Sequence, residues 1–266
     1  MIFGRIPKST IYFLFFITVA EASFGKCGKE LVHGWGDLWE PFLMGTPQNP
    51  SGFDNEVMDA MIGAAGCTLK HTNRKIPWPR VMMYIKTGKL DIVASATKTE
   101  KRSKFAYFTD PYRGEIVALF VLKENVDKFN LKEIDDLLKT NFALGIEREV
   151  SYGKRIDAIL EAMSTKTQDT SIDVNAQKLL KGRIDGYLSY IPTEPIALKK
   201  LGFEKKIVMH PMTPVNTGDI HFMISKQSNS PEIVKALNKG LRTIKKNGVY
   251  DGIVKKYSQK YGVSKW

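Results

Sequence analysis

The residues with the clearest chemical potential lie together in Thr97-Lys98-Thr99-Glu100-Lys101-Arg102, followed by Phe108-Thr109-Asp110-Pro111-Tyr112. Two threonine hydroxyls and one guanidinium fall within six residues. A guanidinium is permanently charged and presents a planar fork. Beside hydroxyl and backbone N–H donors it suits a planar carboxylate, gripped through two parallel hydrogen bonds. The same residues also read as an ordinary surface helix start, with Thr99 as N-cap and Lys101, Arg102 and Lys104 solvated. Other chemistry is hard to assemble. Four histidines and two cysteines, with no G-x-S-x-G, H-E-x-x-H or Walker lysine, form no metal or nucleophile constellation, and no cofactor is expected. Glu40, Glu115 and Glu147 are the acids near loop ends from which a cleft acid would come.

The cluster follows Leu90-Asp91-Ile92-Val93-Ala94, an apolar run that reads as a buried strand with the polar residues at its end. Upstream, residues 31–35 read as a first strand running into an aromatic loop with Trp39 and Phe42, a placement suited to lining a crevice of an α/β fold. Phe53, Val57, Met58, Met61, Ile62 and Ala65 recur at helical spacing, and Gly66 closes that helix. A strand at 68–71 and a short helix through Val81, Tyr84 and Ile85, stopped at Gly88, follow. Residues 116–122 form a β run too long for one lobe, and its second half reads as a crossing into another. Helices at 130–138, 153–163 and 173–181 then alternate with strands at 142–146, 184–190 and 206–209. Residues 211–218 read as a loop. Ile220-His221-Phe222-Met223-Ile224 returns the chain, and helices at 231–246 and 250–261 complete it. Such alternation implies parallel or mixed sheets covered on both faces.

The opening is read as a secretory signal. Arg5 and Lys8 precede an apolar run of about ten residues, far short of the roughly twenty needed to span a bilayer, and Ala20-Glu21-Ala22 is a small-x-small cleavage pattern. Lys26 before Cys27 argues against lipidation. An exported protein leaves Cys27 and Cys67 free to pair, although two buried thiols are the alternative. A bridge closing about forty residues would contribute ~4 kcal/mol on the chain-entropy model. The net charge of +12 invites a nucleic-acid reading. The lysines, however, are spread along the chain with no basic run interleaved with aromatics, so no nucleic-acid partner is expected.

The cluster resembles the T-x-T-x-x-R and F-S-x-P-Y blocks of bacterial extracellular solute-binding proteins of family 3, the polar amino-acid type. Gly52-Phe53-Asp54, Pro77-Trp78-Pro79-Arg80 with Gly88-Lys89-Leu90-Asp91, Gly182-Arg183-Ile184-Asp185, and Asn247-Gly248-Val249-Tyr250 with Lys256-Tyr257 resemble further blocks in the family's order, over about residues 28–260. The resemblance implies a two-lobed periplasmic-binding-protein-like (type II) α/β fold with two hinge crossings. The expected division is 1–22 as signal peptide, 23–119 plus 220–266 as the first lobe and 120–219 as the second. It implies a monomer in the periplasm, capturing a small carboxylate-bearing solute for an ABC permease or a membrane sensor. The expected ligand set is Arg102, Thr97 and Ser95, the aromatics Trp78 and Trp39, and Ser151 and Tyr190 from the second lobe. Ser151 also reads simply as the N-cap of the helix that follows. One departure matters. The family's amine-pairing Asp, five residues after the Asp of G-R-x-D, is Tyr190 here, and the next acid, Glu194, lies beyond Pro192. A buried ammonium without a counter-charge is costly. The carboxylate half of the site is therefore expected and the amine half is not, unless aromatic faces hold the amine. The alternative function is a cleft enzyme of the cyclohexadienyl or prephenate dehydratase type on the same fold.

Overall fold

A computed structural model of the chain describes residues 27–36, 39–169 and 171–263. The expected signal peptide lies outside the described residues. Cys27 and Cys67 are bridged, with Cα atoms 4.9 Å apart, so the segment before the first strand is tied to the turn that follows the first helix.

In chain order, β1 (Glu30–His33) is followed by a small hairpin, β2 (Met44–Thr46) and β3 (Asn49–Ser51), and by α1 (Phe53–Ala64). Next come β4 (Thr68–His71), α2 (Trp78–Thr87), β5 (Ile92–Thr97), α3 (Glu100–Ser103), β6 (Ala106–Phe108) and the long β7 (Arg113–Leu122). The second lobe holds β8 (Leu144–Glu147), α4 (Lys154–Ala162), β9 (Lys166–Asp169), α5 (Ile172–Leu180), β10 (Gly186–Ile191), α6 (Thr193–Leu201) and β11 (Ile207–Met209). The equally long β12 (Val215–Ser225) returns the chain to the first lobe, where α7 (Pro231–Lys246) and α8 (Val249–Tyr261) complete it.

The strands make one mixed sheet in the order β4-β1-β5-β12-β7-β10-β8-β9, with β6 also on β12 and β11 also on β7. Its outer pairs are parallel and its centre antiparallel, because β7 and β12 run side by side in opposite directions. The apolar residues alternate to both faces, as strand geometry requires. In β7, Val117, Leu119 and Val121 pack with α4 and a 3-10 helix at Ile134–Lys139, while Ala118 and Phe120 pack with α5 and α6. In the first lobe, Ile92, Ala94, Phe222 and Ile224 pack under α1, α7 and α8. Val93, Ala96 and Met223 pack under α2. Each lobe thus has two cores, one on each face of its part of the sheet. Gly240 lets α7 lie directly on α1, since a Cβ there would sit 2.3 Å from the Met61 carbonyl oxygen.

The structure differs from the sequence expectation at a few elements. The expected helix at 130–138 is only the 3-10 turn at Ile134–Lys139, tightened by a capping box between Glu133 and Asp136. The polar edge strand β9 lacks apolar alternation, and α6 begins between two prolines, Pro192 and Pro195. Neither gave a sequence signal.

Candidate functional site

β5 delivers the Thr97–Arg102 cluster to the space between the lobes. Its alternation slips by one residue at Ser95, which adopts a left-handed φ of 58°. Ile92 and Ala94 face one core and Val93 and Ala96 the other. Thr99 then caps α3, its hydroxyl accepting from the Arg102 N–H at 3.2 Å. The surface-helix reading of this cluster therefore holds only in part. Thr99 is the N-cap, and Lys101 and Lys104 are exposed. Arg102 is not solvated: it is only 5% exposed. Its Nη1 donates to the Thr97 carbonyl at 2.9 Å and its Nη2 to the Glu149 carbonyl of the second lobe at 2.9 Å. Burial lowers its pKa, and the Tyr190 hydroxyl and the carboxylates of Asp157, Glu149 and Glu115 oppose that shift.

Arg102 borders a cavity of about 540 Å³ between the lobes, within the range of small-molecule sites. All seven expected ligand residues line it. Trp78, at the start of α2, lies with its ring 5.6 Å from the Arg102 guanidinium carbon and donates its indole N–H to the Glu149 carbonyl at 3.0 Å. Trp39 meets Tyr190 edge-on, centroids 4.7 Å apart, and Tyr190 stacks on Tyr152 at 5.7 Å. These contacts fix the Tyr190 ring.

Two of the seven differ in detail from expectation. The Ser95 hydroxyl is already committed, donating to the Asp54 carboxylate. Ser151 is not the N-cap of α4. That position is Gly153, at φ 86°, where a Cβ would meet the Thr217 carbonyl oxygen at 2.4 Å. The Ser151 hydroxyl instead donates to Asp157 at 2.5 Å, and its carbonyl accepts from Thr97 Oγ1 at 3.2 Å.

Contacts between the lobes converge on one loop. Glu149, a non-glycine residue at φ 61°, presents its carbonyl to both Arg102 and Trp78. The sequence offered no sign of this role, because a backbone carbonyl carries none. At the opposite rim, Lys200 of α6 pairs with Glu40, which also accepts from the Tyr261 hydroxyl at 2.6 Å.

Behind the cavity wall runs a buried ionic chain. Arg113 holds Asp54 through Nε–Oδ1 at 2.9 Å and Nη2–Oδ2 at 3.1 Å, and reaches Glu115 Oε1 through Nη1 at 3.1 Å. Burial pushes the Glu115 carboxyl up to about 7, Arg113 opposing the shift. Glu115 lines the cavity; so do Glu147 and Asp173. Glu194, the nearest acid after Tyr190, does not. It is fully buried beneath β10, where Tyr187 and, at 2.8 Å, Ser189 donate to it. Among the described residues, no group of three or more His, Cys, Asp or Glu side chains is placed to hold a metal ion, and no helix is long and apolar enough to cross a membrane.

A family model for bacterial extracellular solute-binding proteins, family 3, matches residues 31–260. The "Probable amino-acid-binding protein YxeM" of Bacillus subtilis (strain 168) is 27% identical over 230 residues, covering 83% of this chain and 79% of that protein. Among solved structures, an ancestral arginine-binding protein bound to arginine superposes with a TM-score of 0.71 at 22% identity, over 86% of this chain and 97% of its own. An ancestral amino-acid-binding protein described as a precursor of cyclohexadienyl dehydratase gives 0.67 at 24% identity, over 86% and 95%. These structures share the two-lobed type II fold.

Proposed function

The chain belongs to the bacterial extracellular solute-binding proteins, family 3, and we propose that it closes its two lobes on an amino-acid-like solute whose carboxylate is held by Arg102. The observation that carries this reading is the buried guanidinium at the cavity, bonded to a carbonyl of each lobe. Those two bonds use one N–H each from Nη1 and Nη2, leaving further donors of the fork for a carboxylate. Trp78 and Trp39 then flank the ligand body, Thr97 and Ser95 lie beside the clamp, and Ser151 and Tyr190 close the far wall. The lobes hinge where β7 and β12 pair, near residues 113–116 and 215–219, a few residues before the division expected at 119 and 219. There Tyr112 still belongs to the first lobe's core and Val117 already to the second. The closed monomer, exported to the periplasm, is presented to an ABC permease or to a membrane sensor.

Arg102→Ala is expected to lower affinity for the native ligand at least about tenfold, since a charge-assisted bidentate contact is lost. Native mass spectrometry of purified protein identifies the ligand, and isothermal titration compares the variants. Unchanged affinity would show that the clamp lies elsewhere. Prephenate is expected to remain intact on incubation with the protein; turnover would replace binding by catalysis.

A further inference from the structure

Tyr190 occupies the place where the family resemblance leads one to expect an ammonium-pairing carboxylate, yet the cavity wall carries one from another strand. Glu115, on β7, is 5% exposed, lines the cavity and engages Arg113 through Oε1 alone. No hydrogen bond to its Oε2 occurs among the described residues. The other acids bordering the cavity differ. Asp173 is exposed at the rim, Glu147 is half-buried, and Glu40 is held by Lys200 and Tyr261. The charge count points the same way. Once Glu115 is ionised, Asp54, Arg113 and Glu115 form a chain of two carboxylates and one guanidinium, one positive charge short of neutrality. Glu115 and Arg102 border the same cavity, so an anionic and a cationic side chain line one ligand-sized space.

We propose that Glu115 is the ammonium partner of this site, and that the ligand is a zwitterionic α-amino acid held between Glu115 and Arg102. This rests on the carboxylate clamp proposed above and supplies the amine half that the sequence lacks. A buried ammonium is matched only if a charge-compensating acceptor meets it, and Glu115, a cavity-lining carboxyl with Oε2 unengaged among the described residues, supplies that acceptor. Tyr190, stacked on Tyr152 and buttressed by Trp39, then closes the wall beside it rather than pairing with the amine.

The charged and titratable groups acting on Glu115 come from several elements. They are Arg113 on its own strand, Asp54 on α1, Arg102 on α3, the Tyr190 hydroxyl on β10 and the Tyr152 hydroxyl before α4. Without ligand the carboxyl titrates at about 7. An ammonium beside it favours the ionised form. Amino-acid binding at a pH half a unit below that value should therefore release about three-quarters of a proton.

The test is calorimetric titration of ligand-stripped protein with the proteinogenic L-amino acids, then with the desamino acid of whichever binds. The desamino compound is expected to bind about a hundredfold more weakly, as is the parent amino acid to Glu115→Gln. For the wild-type protein, binding heats in buffers of different ionisation enthalpy report the released proton, and Glu115→Gln should release none. Should Glu115→Gln fail to fold, the desamino and proton-release measurements decide on wild-type protein alone. Equal affinity for the desamino acid, heats independent of buffer, or loss of affinity in Asp173→Asn rather than Glu115→Gln would each overturn the assignment. So would binding of no amino acid at millimolar concentration. Arg102→Ala separates the two ideas: if it leaves affinity intact, the carboxylate clamp itself fails. If it abolishes binding while Glu115→Gln does not, only the ammonium assignment fails.

Discussion

Burial pushes two glutamates up to about 7, one on the strand at the hinge and one inside the second lobe, and their partners differ. Glu115 of the hinge strand sits beside a guanidinium, borders the cavity and leaves one oxygen open. Glu194, at the start of α6, is fully buried, and two hydroxyls occupy its two oxygens, one from Tyr187 and one from Ser189. Burial alone raises both, because desolvation penalises a carboxylate wherever it occurs. What the carboxyl can then do depends on its partners. Glu194 is saturated by donors of β10 and joins that strand to its following helix. Glu115 belongs to a charged chain, lines a cavity and has one oxygen with no hydrogen bond among the described residues. A shifted pKa therefore marks burial first, and function only where an open valence faces space that a ligand can enter.

The comparison is broken most severely by Arg113→Met. That change leaves the fully buried Asp54 carboxylate with hydroxyl partners, Ser95 and Tyr112, and no cation, and strips Glu115 of its ion-pair partner among the described residues. Loss of one partner of a buried pair costs roughly 3–5 kcal/mol. Urea unfolding should show it as a shifted midpoint at unchanged slope. No removal of one donor around Glu194 should approach this loss, since no formal charge is left unpaired there. A loss under about 1 kcal/mol would mean that solvent or relaxation compensates Asp54, and the ionic chain would not merit the weight given to it.

Much of this site was legible in the sequence, and the illegible parts share a cause. Arg102, Thr97 and Trp78 sit in short contiguous blocks at strand and helix ends, where residue type and local position suffice to place them. Trp39 and Tyr190 fell correctly on the cavity because β1 and β10 carry strong strand patterns. The role of Ser151 did not follow, because Gly153 and not a hydroxyl caps α4, and only the approach of Thr217 explains that glycine. The Glu149 carbonyl was invisible for the reason that backbone atoms are common to every residue. The Asp54–Arg113 contact spans 59 positions, and no local window reaches that far. Glu115 was legible as one of three candidate cleft acids near loop ends, but not as a member of the buried chain with Arg113 and Asp54, since that setting depends on long-range packing.

The second way to sharpen the comparison is pH. Both carboxyls have folded-state values near 7, above the ordinary 4.5. Between those values the folded chain retains protons that the unfolded chain has released. Stability should therefore fall as pH rises through about 4.5 to 7, by up to about 1.4 kcal/mol per unit for each carboxyl. Below that window both states are protonated, and above it both are ionised. Glu194→Gln should flatten one share of the slope while leaving ligand affinity intact. Saturating amino acid should flatten the other share, by keeping Glu115 ionised throughout. Stability curves that stay parallel for wild type and Glu194→Gln between pH 5 and 7 would remove Glu194 from the account.

The smallest effect isolates hydrogen bonding from charge. Tyr187→Phe deletes one of the two hydroxyls that donate to Glu194 and changes no formal charge. Ser189 remains, so the cost should sit at the low end for a buried acceptor left unmet, about 1 kcal/mol. The Tyr187 bond favours the ionised carboxylate. Its loss should therefore push Glu194 further up and make the cost larger at neutral than at acidic pH. Because Glu194 does not line the cavity, titrations with ligand should superpose on those of the wild type. A change in affinity would mean that β10 transmits the state of Glu194 to Tyr190, three residues along the same strand. The separation between a structural and a ligand-facing carboxylate would then have to be redrawn as one coupled system.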